Sequence, residues 1–243
     1  MPTDQRKHRT IRKSKFAELC GEVGNIRSVE MFLEFLHNSG VVLYDRQLFG
    51  EQILLDQNWA LEGVCSIVDR KKSYSHLKTL GGRFTRSILD LLVWGGYSES
   101  EQRLFLSLME SCNVCFRHGQ SAYGKEDEPE YIAPDLLPTR IEVEAEIAAR
   151  WTGAEKEYTA VFEYPFLRDA LVRSVISRVG KLAGDSAVYW KFGVCLYGNK
   201  TSAHAIIDAN YADDSRGEIE IRANGNRGNE LVRRIVAIIK GEN

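Results

Sequence analysis

The chain has 243 residues, of which 44% are hydrophobic, 10% aromatic and 27% charged; 32 Lys and Arg against 34 Asp and Glu give a formal net charge of −2. This balance excludes collagen-like, low-complexity and disordered classes, and near-neutral charge argues against a dedicated nucleic-acid binder. No apolar run approaches the roughly 20 residues that a membrane-spanning helix needs, so a soluble protein of one large or two small domains is expected.

Residues 1–14 carry Arg6, Lys7, Arg9, Arg12 and Lys13 against Asp4 alone, a basic and solvated lead-in without the hydrophobic region of a signal peptide. Its abrupt start suggests a chain that once continued upstream. From Lys15 the spacing predicts a helix through Phe16, Leu19, Cys20 and Val23, stopped by Gly24. Ser28 caps a second helix with Val29, Phe32, Leu33 and Leu36, ended by Gly40. Val41 to Tyr44 and Gln52 to Leu55 are β-prone, with a Gly50-containing turn between them, and Asp56 opens a helix from Trp59 to Val68.

The order helix, helix, strand, wing and strand resembles a winged helix, and it recurs. Arg86 to Trp94 reads as a helix ended by Gly95-Gly96, and Ser98-Glu99-Ser100-Glu101 matches a capping box ahead of Leu104, Phe105, Leu108 and Met109. Val114 to Phe116 and Tyr131 to Ala133 are β-prone segments around a loop at 117–130. Residues 15–140 thus form a first half of two winged-helix-like units in tandem. From Lys125 to Glu146 eight acidic residues face two basic ones, and Pro129, Pro134 and Pro138 add turn signals, which marks a boundary. A linking helix is expected within 141–156.

The second half, 157–243, has a different pattern. Tyr158 to Phe162 reads as a strand, and Pro165 as the start of a helix through Leu171, Val175 and Val179. Ala187 to Tyr197 and Ala203 to Tyr211 read as strands joined by a hairpin turn at 198–201. Glu218 to Arg222 alternates strictly, as a strand with one wet face does, and Leu231 to Ile239 closes as a helix. The predicted class is α+β: a helix-rich half, then β-α-β-β-β-α with an antiparallel sheet flanked by helices.

Three features invite a chemical reading. Gly193 to Thr201 approaches the phosphate-binding G-x-x-x-x-G-K-[ST] pattern, but Asn199 is inserted before Lys200 and a β-like segment follows where that loop requires a helix N-terminus. Cys112, Cys115 and His118 have a spacing that could supply three zinc ligands, yet no second pair supplies the fourth. As a redox pair they fail differently, because Cys112 sits at a helix C-terminus, where the dipole raises a thiol pKa. The winged-helix units could read DNA, but their second helices display Glu30, Glu34, Glu99, Glu101 and Glu110, which phosphates would repel. The five cysteines, an odd number, suggest buried thiols in a reducing, cytoplasmic compartment. No catalytic constellation assembles and no cofactor is implied; a DNA-binding winged-helix regulator is the alternative reading.

Phe32-Leu33-Glu34-Phe35-Leu36-His37 through Gly40-Val41-Val42-Leu43-Tyr44, and Ile53-Leu54-Leu55-Asp56-Gln57-Asn58-Trp59, resemble the opening of the COR domain (C-terminal of Roc) of Roco proteins. Phe105 to Cys115 and Tyr131-Ile132-Ala133-Pro134 through Pro138 resemble the end of its first half; Tyr158 to Arg178, Trp190 to Leu196 and Glu218 to Ile221 resemble its second. The resemblance implies a non-catalytic module that follows a Ras-like GTPase domain, Roc, often with leucine-rich repeats in the parent protein. Its first half would pack on the GTPase, with Tyr131 in the facing region, and its second half would mediate homodimerisation. The family's helix in the second half usually carries two arginines; here Arg178 fits and Ser174 occupies the other position.

Overall fold

Residues 9–24, 26–71, 73–120, 128–151, 156–180, 183, 187–198, 202–213 and 215–241 are described by a computed structural model. The lead-in does not remain solvated to its end. Thr10–Arg12 form strand β1, which pairs antiparallel with β2 (Gln52–Leu54). Ile11 is the reason: it packs onto a small core of Leu33, Val42 and Ile53. A three-residue strand with one apolar residue is invisible within a run of charge.

Helix α1 (Lys13–Val23) and helix α2 (Val29–Asn38) follow as expected, the second capped by Ser28, whose hydroxyl accepts from the Met31 N–H at 3.3 Å. The β-prone segment 41–44 forms only one bridge, Leu43 to Leu54, and a short helix α3 (Arg46–Phe49) occupies the expected turn. Asp56 caps α4 (Gln57–Cys65) by accepting from the Trp59 N–H, and a 3-10 turn continues it over Ser66–Val68.

Two further elements, helix α5 (Tyr74–Thr79) and strand β3 (Arg83–Phe84), are not expected from the sequence. Helix α6 (Arg86–Leu89) runs into a π-helical turn, Asp90–Trp94. Buried Gln102 ties that turn to helix α7 (Glu99–Ser111), donating to Asp90, Trp94 and Tyr97 oxygens. The capping box at Ser98 and Glu101 is present. Strands β4 (Phe116–Gln120) and β5 (Pro129–Ile132) join β3 in a sheet ordered β3-β5-β4. The two units therefore differ in layout: a two-stranded sheet plus one bridge in the first, a three-stranded sheet in the second. Trp59, Trp94, Phe105 and Leu77 fill their common core, where the Phe105 ring lies so close to Gly63 that a Cβ there would meet it at 2.5 Å.

After a 3-10 turn at Ile141–Val143, helix α8 (Glu144–Arg150) forms the linker. The second half is a five-stranded antiparallel sheet ordered β6-β10-β9-β8-β7. Its strands are β6 (Glu157–Tyr164), β7 (Val188–Trp190), β8 (Gly193–Gly198), β9 (Ala203–Tyr211) and β10 (Gly217–Gly225). Helices α9 (Asp169–Gly180) and α10 (Gly228–Lys240) cover one face, burying Val175, Ile176, Leu231 and Ile235 against Ile207, Ile219 and Ile221. The alternation expected in β10 holds: Ile219 and Ile221 point to the helices, and the intervening Glu218, Glu220 and Arg222 lie on the other face.

The expected single strand 187–197 is instead two, reversing at Lys191-Phe192. Gly193 permits the reversal, since a Cβ there would collide with the Ile207 carbonyl and the Trp190 ring. The order is thus β-α-β-β-β-β-α. Helix α9 begins at Asp169, later than Pro165, with Asp169 accepting the Tyr211 hydroxyl at 2.7 Å. Mixed helices and antiparallel sheets establish the α+β class.

Candidate functional site

The phosphate-loop-like sequence begins as a strand, not as a loop. Gly193–Gly198 is strand β8, paired antiparallel with β9 as far as Gly198 opposite Ala203; positions 199–201 lie outside the described residues. A strand turns its successive N–H groups to alternate sides, so β8 offers no cradle for a phosphate.

Cys112, Cys115 and His118 belong to three environments. Cys112 is exposed at the C-cap of α7, and Cys115 is fully buried, its thiol pushed well above the ordinary value by burial and by the nearby Glu110 carboxylate. His118 is buried on β4, its Nδ1 3.2 Å from the Tyr189 hydroxyl of the second half and its ring edge-on to Tyr189 at 5.2 Å. Among the described residues no three His, Cys, Asp or Glu side chains gather as a metal ion requires. Tyr131 sits in the middle of the β3-β5-β4 sheet, opposite Phe84 on one side and Arg117 on the other. Its ring stacks on Phe84 at 5.8 Å and only 8% of the residue is exposed; burial raises its phenol pKa. Tyr131 therefore shapes a surface from beneath.

Glu30 on α2 and Glu99 on α7 lie in ion pairs. Glu30 bonds Lys13 at 3.2 Å, and Glu99 bonds Arg103 at 2.7 Å and lies 3.5 Å from Arg86. Glu34 and Glu110 are exposed on the same helices. These faces present carboxylates outward, the wrong sign for phosphates.

The distinctive geometry lies where the halves meet. Phe116, Ile132 and Leu137 of the first half belong to the same buried cluster as Val175, Val179 and Tyr189 of the second. Gly180 makes this possible: a Cβ there would lie 2.5 Å from the Phe116 ring. Arg173 on α9 bonds Asp135 at 2.7 Å, and the Lys191 N–H donates to the Pro138 carbonyl at 2.9 Å.

Beyond Pro138 the linker is strapped across the sheet face opposite the helices. Val143 and Ile147 pack on Val188, Trp190, Cys195 and Ile206. At the head of the strap the Arg140 guanidinium pairs with Asp208 and lies over the Trp190 ring at 5.4 Å, while the Trp190 indole N–H donates to the other Asp208 oxygen at 3.1 Å. Arg140, Asp208 and Trp190 were not singled out by sequence reasoning. The available signal was Asp208, a lone carboxylate inside the apolar run Ala203 to Tyr211. Burial under the strap raises the Cys195 thiol to about 11. Arg178, the one arginine that fits the family pattern on α9, donates to the Ile238 carbonyl near the end of α10 at 3.5 Å, where the helix dipole favours a cation.

The two bodies joined here each match a known domain. Residues 1–137 match the family model described as "C-terminal of Roc, COR-A domain". The chain belongs to the COR family. Residues 155–242 match the "C-terminal of Roc, COR-B domain", so the strap of the COR protein falls between the two matched regions. A curated relative from Runella zeae, a "Roc-COR-CHAT protease", is 25% identical over 225 residues, which cover 90% of this chain and 21% of that protein. The COR chain thus spans about a fifth of the length of that relative. Among the described residues no helix is long and apolar enough to cross a membrane.

Proposed function

We propose that the chain is a non-catalytic regulatory and homodimerisation module of a Roco protein. In this reading it couples a neighbouring Ras-like Roc GTPase domain to self-association and signalling, in the cytoplasm. The first half docks on the G domain through the face underlain by Tyr131, and the second half self-associates. The observation that carries the reading is the joint. Because Phe116, Ile132 and Leu137 sit in the core of the second half and the strap is pinned by Arg140 and Asp208, a force on the first half is passed on through packed contacts. The name of the Runella relative, which sets Roc beside COR, supports a G domain as the neighbour.

Three measurements test this. The purified chain should neither bind nor hydrolyse GTP and should dimerise with concentration in sedimentation. A Roc G domain supplied in trans should bind it. Tight GTP binding by the chain alone, or absence of both associations, would overturn the reading.

A further inference from the structure

The two ends of the second-half sheet are built differently. At one end β7 is three residues long, Val188–Trp190. At the other, β6 runs for eight residues, Glu157–Tyr164, in unbroken register with β10, and no described strand pairs with its outer edge. Proteins usually blunt such an edge with Pro, Lys, a bulge or a very short strand. β6 has none of these, and its only charges, Glu157 and Glu163, lie near its ends. At its centre Val161 is 48% exposed on the face away from the helices.

We propose that the outer edge of β6 pairs antiparallel with the same strand of a second copy, joining two sheets into one across a two-fold axis at Val161. This deepens the homodimerisation reading above and rests on it.

Self-pairing is chosen by the pattern of the strand. A sheet continued across a perpendicular two-fold keeps each face on its own side, so helix-facing residues must oppose helix-facing residues. Of the two registers that pair nearly the whole strand, one centres on Ala160 and sets Glu157 against Glu163 of the second copy, twice. Like charges directly opposite destabilise a sheet. The other centres on Val161: Val161 meets itself, Thr159 meets Glu163, Ala160 meets Phe162 and Tyr158 meets Tyr164. It opposes no carboxylates, covers the exposed Val161, and adds an aromatic cross-strand pair on the helix side, where Tyr158 and Tyr164 are half-buried. Helix α10 packs over β6, so the two-fold also brings that helix towards its counterpart.

The test is a charge swap read by sedimentation on the full chain. Thr159→Glu sets a carboxylate against Glu163 of the second copy at two symmetric places, yet within its own protomer it faces Arg222, so the fold is kept. It should raise the dimer dissociation constant about tenfold or more. Adding Glu163→Lys, which within the protomer faces Glu218, places opposite charges across the axis and should return the constant to within about threefold of the original. A dimer indifferent to Thr159→Glu overturns the edge assignment and leaves the dimerisation reading standing. So does a dimer weakened by Thr159→Glu that Glu163→Lys does not restore. A chain that stays monomeric at roughly 100 µM overturns both, whatever other extended segment then occupies the edge.

Discussion

Asp208 holds two donors at once, the Arg140 guanidinium and the Trp190 indole N–H, beneath the strap. Truncating one partner of a largely buried pair leaves the other unsatisfied. Arg140→Met keeps the packing on Trp190 but strands the buried Asp208 carboxylate, and should therefore cost about 3 kcal/mol in urea unfolding, while Asp208→Ala leaves a partly exposed Arg140 that can reach water and should cost about 1 kcal/mol; a smaller loss for Arg140→Met than for Asp208→Ala would show that the packing of the strap alone matters. Glycine positions separate in the same way. Gly180→Ala forces a methyl against Phe116 and should destabilise by about 1–3 kcal/mol, whereas Gly21→Ala, in open space on α1, should stabilise by about 0.5–1 kcal/mol. Tyr131→Phe keeps the stack on Phe84 and should leave G-domain docking unchanged within about twofold, while Tyr131→Ala should weaken it about tenfold. A Phe variant as weak as the Ala variant would place the hydroxyl itself in the contact.

The thiols carry a pH dependence whose sign is fixed by burial. Cys115 and Cys195 have folded pKa values above their unfolded ones, so the neutral thiol stabilises the fold fully below about pH 9. That contribution is lost as pH climbs towards 11, the value to which Cys195 is raised. The urea midpoint should be flat near pH 7–8 and fall above pH 9; a midpoint that rises there contradicts the assignment. In the native protein the exposed Cys65 and Cys112 should react with a thiol reagent and the buried Cys20, Cys115 and Cys195 should not.

At the level of elements, much was legible where a local signal coincides with packing. Ser98 and Glu101 mark the start of α7, Ser28 that of α2, and the alternation of Glu218 to Arg222 shows which side of β10 is wet. Ser98→Ala should accordingly cost about 1 kcal/mol. What was not legible depends on contacts distant in sequence. β1 exists because Ile11 finds Leu33 and Ile53, and the break between β7 and β8 because Gly193 fits under Ile207 and Trp190. The joint is the extreme case: Phe116 and Gly180 are separated by the linker, and nothing local tells either that the other is there.

For the whole molecule, the two halves are better regarded as one mechanical body with a strap than as beads on a tether. On the proposed reading the face underlain by Tyr131 takes the G domain and the outer edge of β6, which no described strand pairs with, takes a second copy, so one partner surface falls on each half. A G domain bound to the first half and a second copy bound to the other would be linked only if the joint transmits strain, and such linkage is reciprocal. The most direct test is the dimer dissociation constant of a Roc–COR protein containing this chain, measured by sedimentation with the G domain loaded with GDP and then with a non-hydrolysable GTP analogue. Coupling predicts constants that differ by about fivefold or more; identical constants in the two nucleotide states would contradict it.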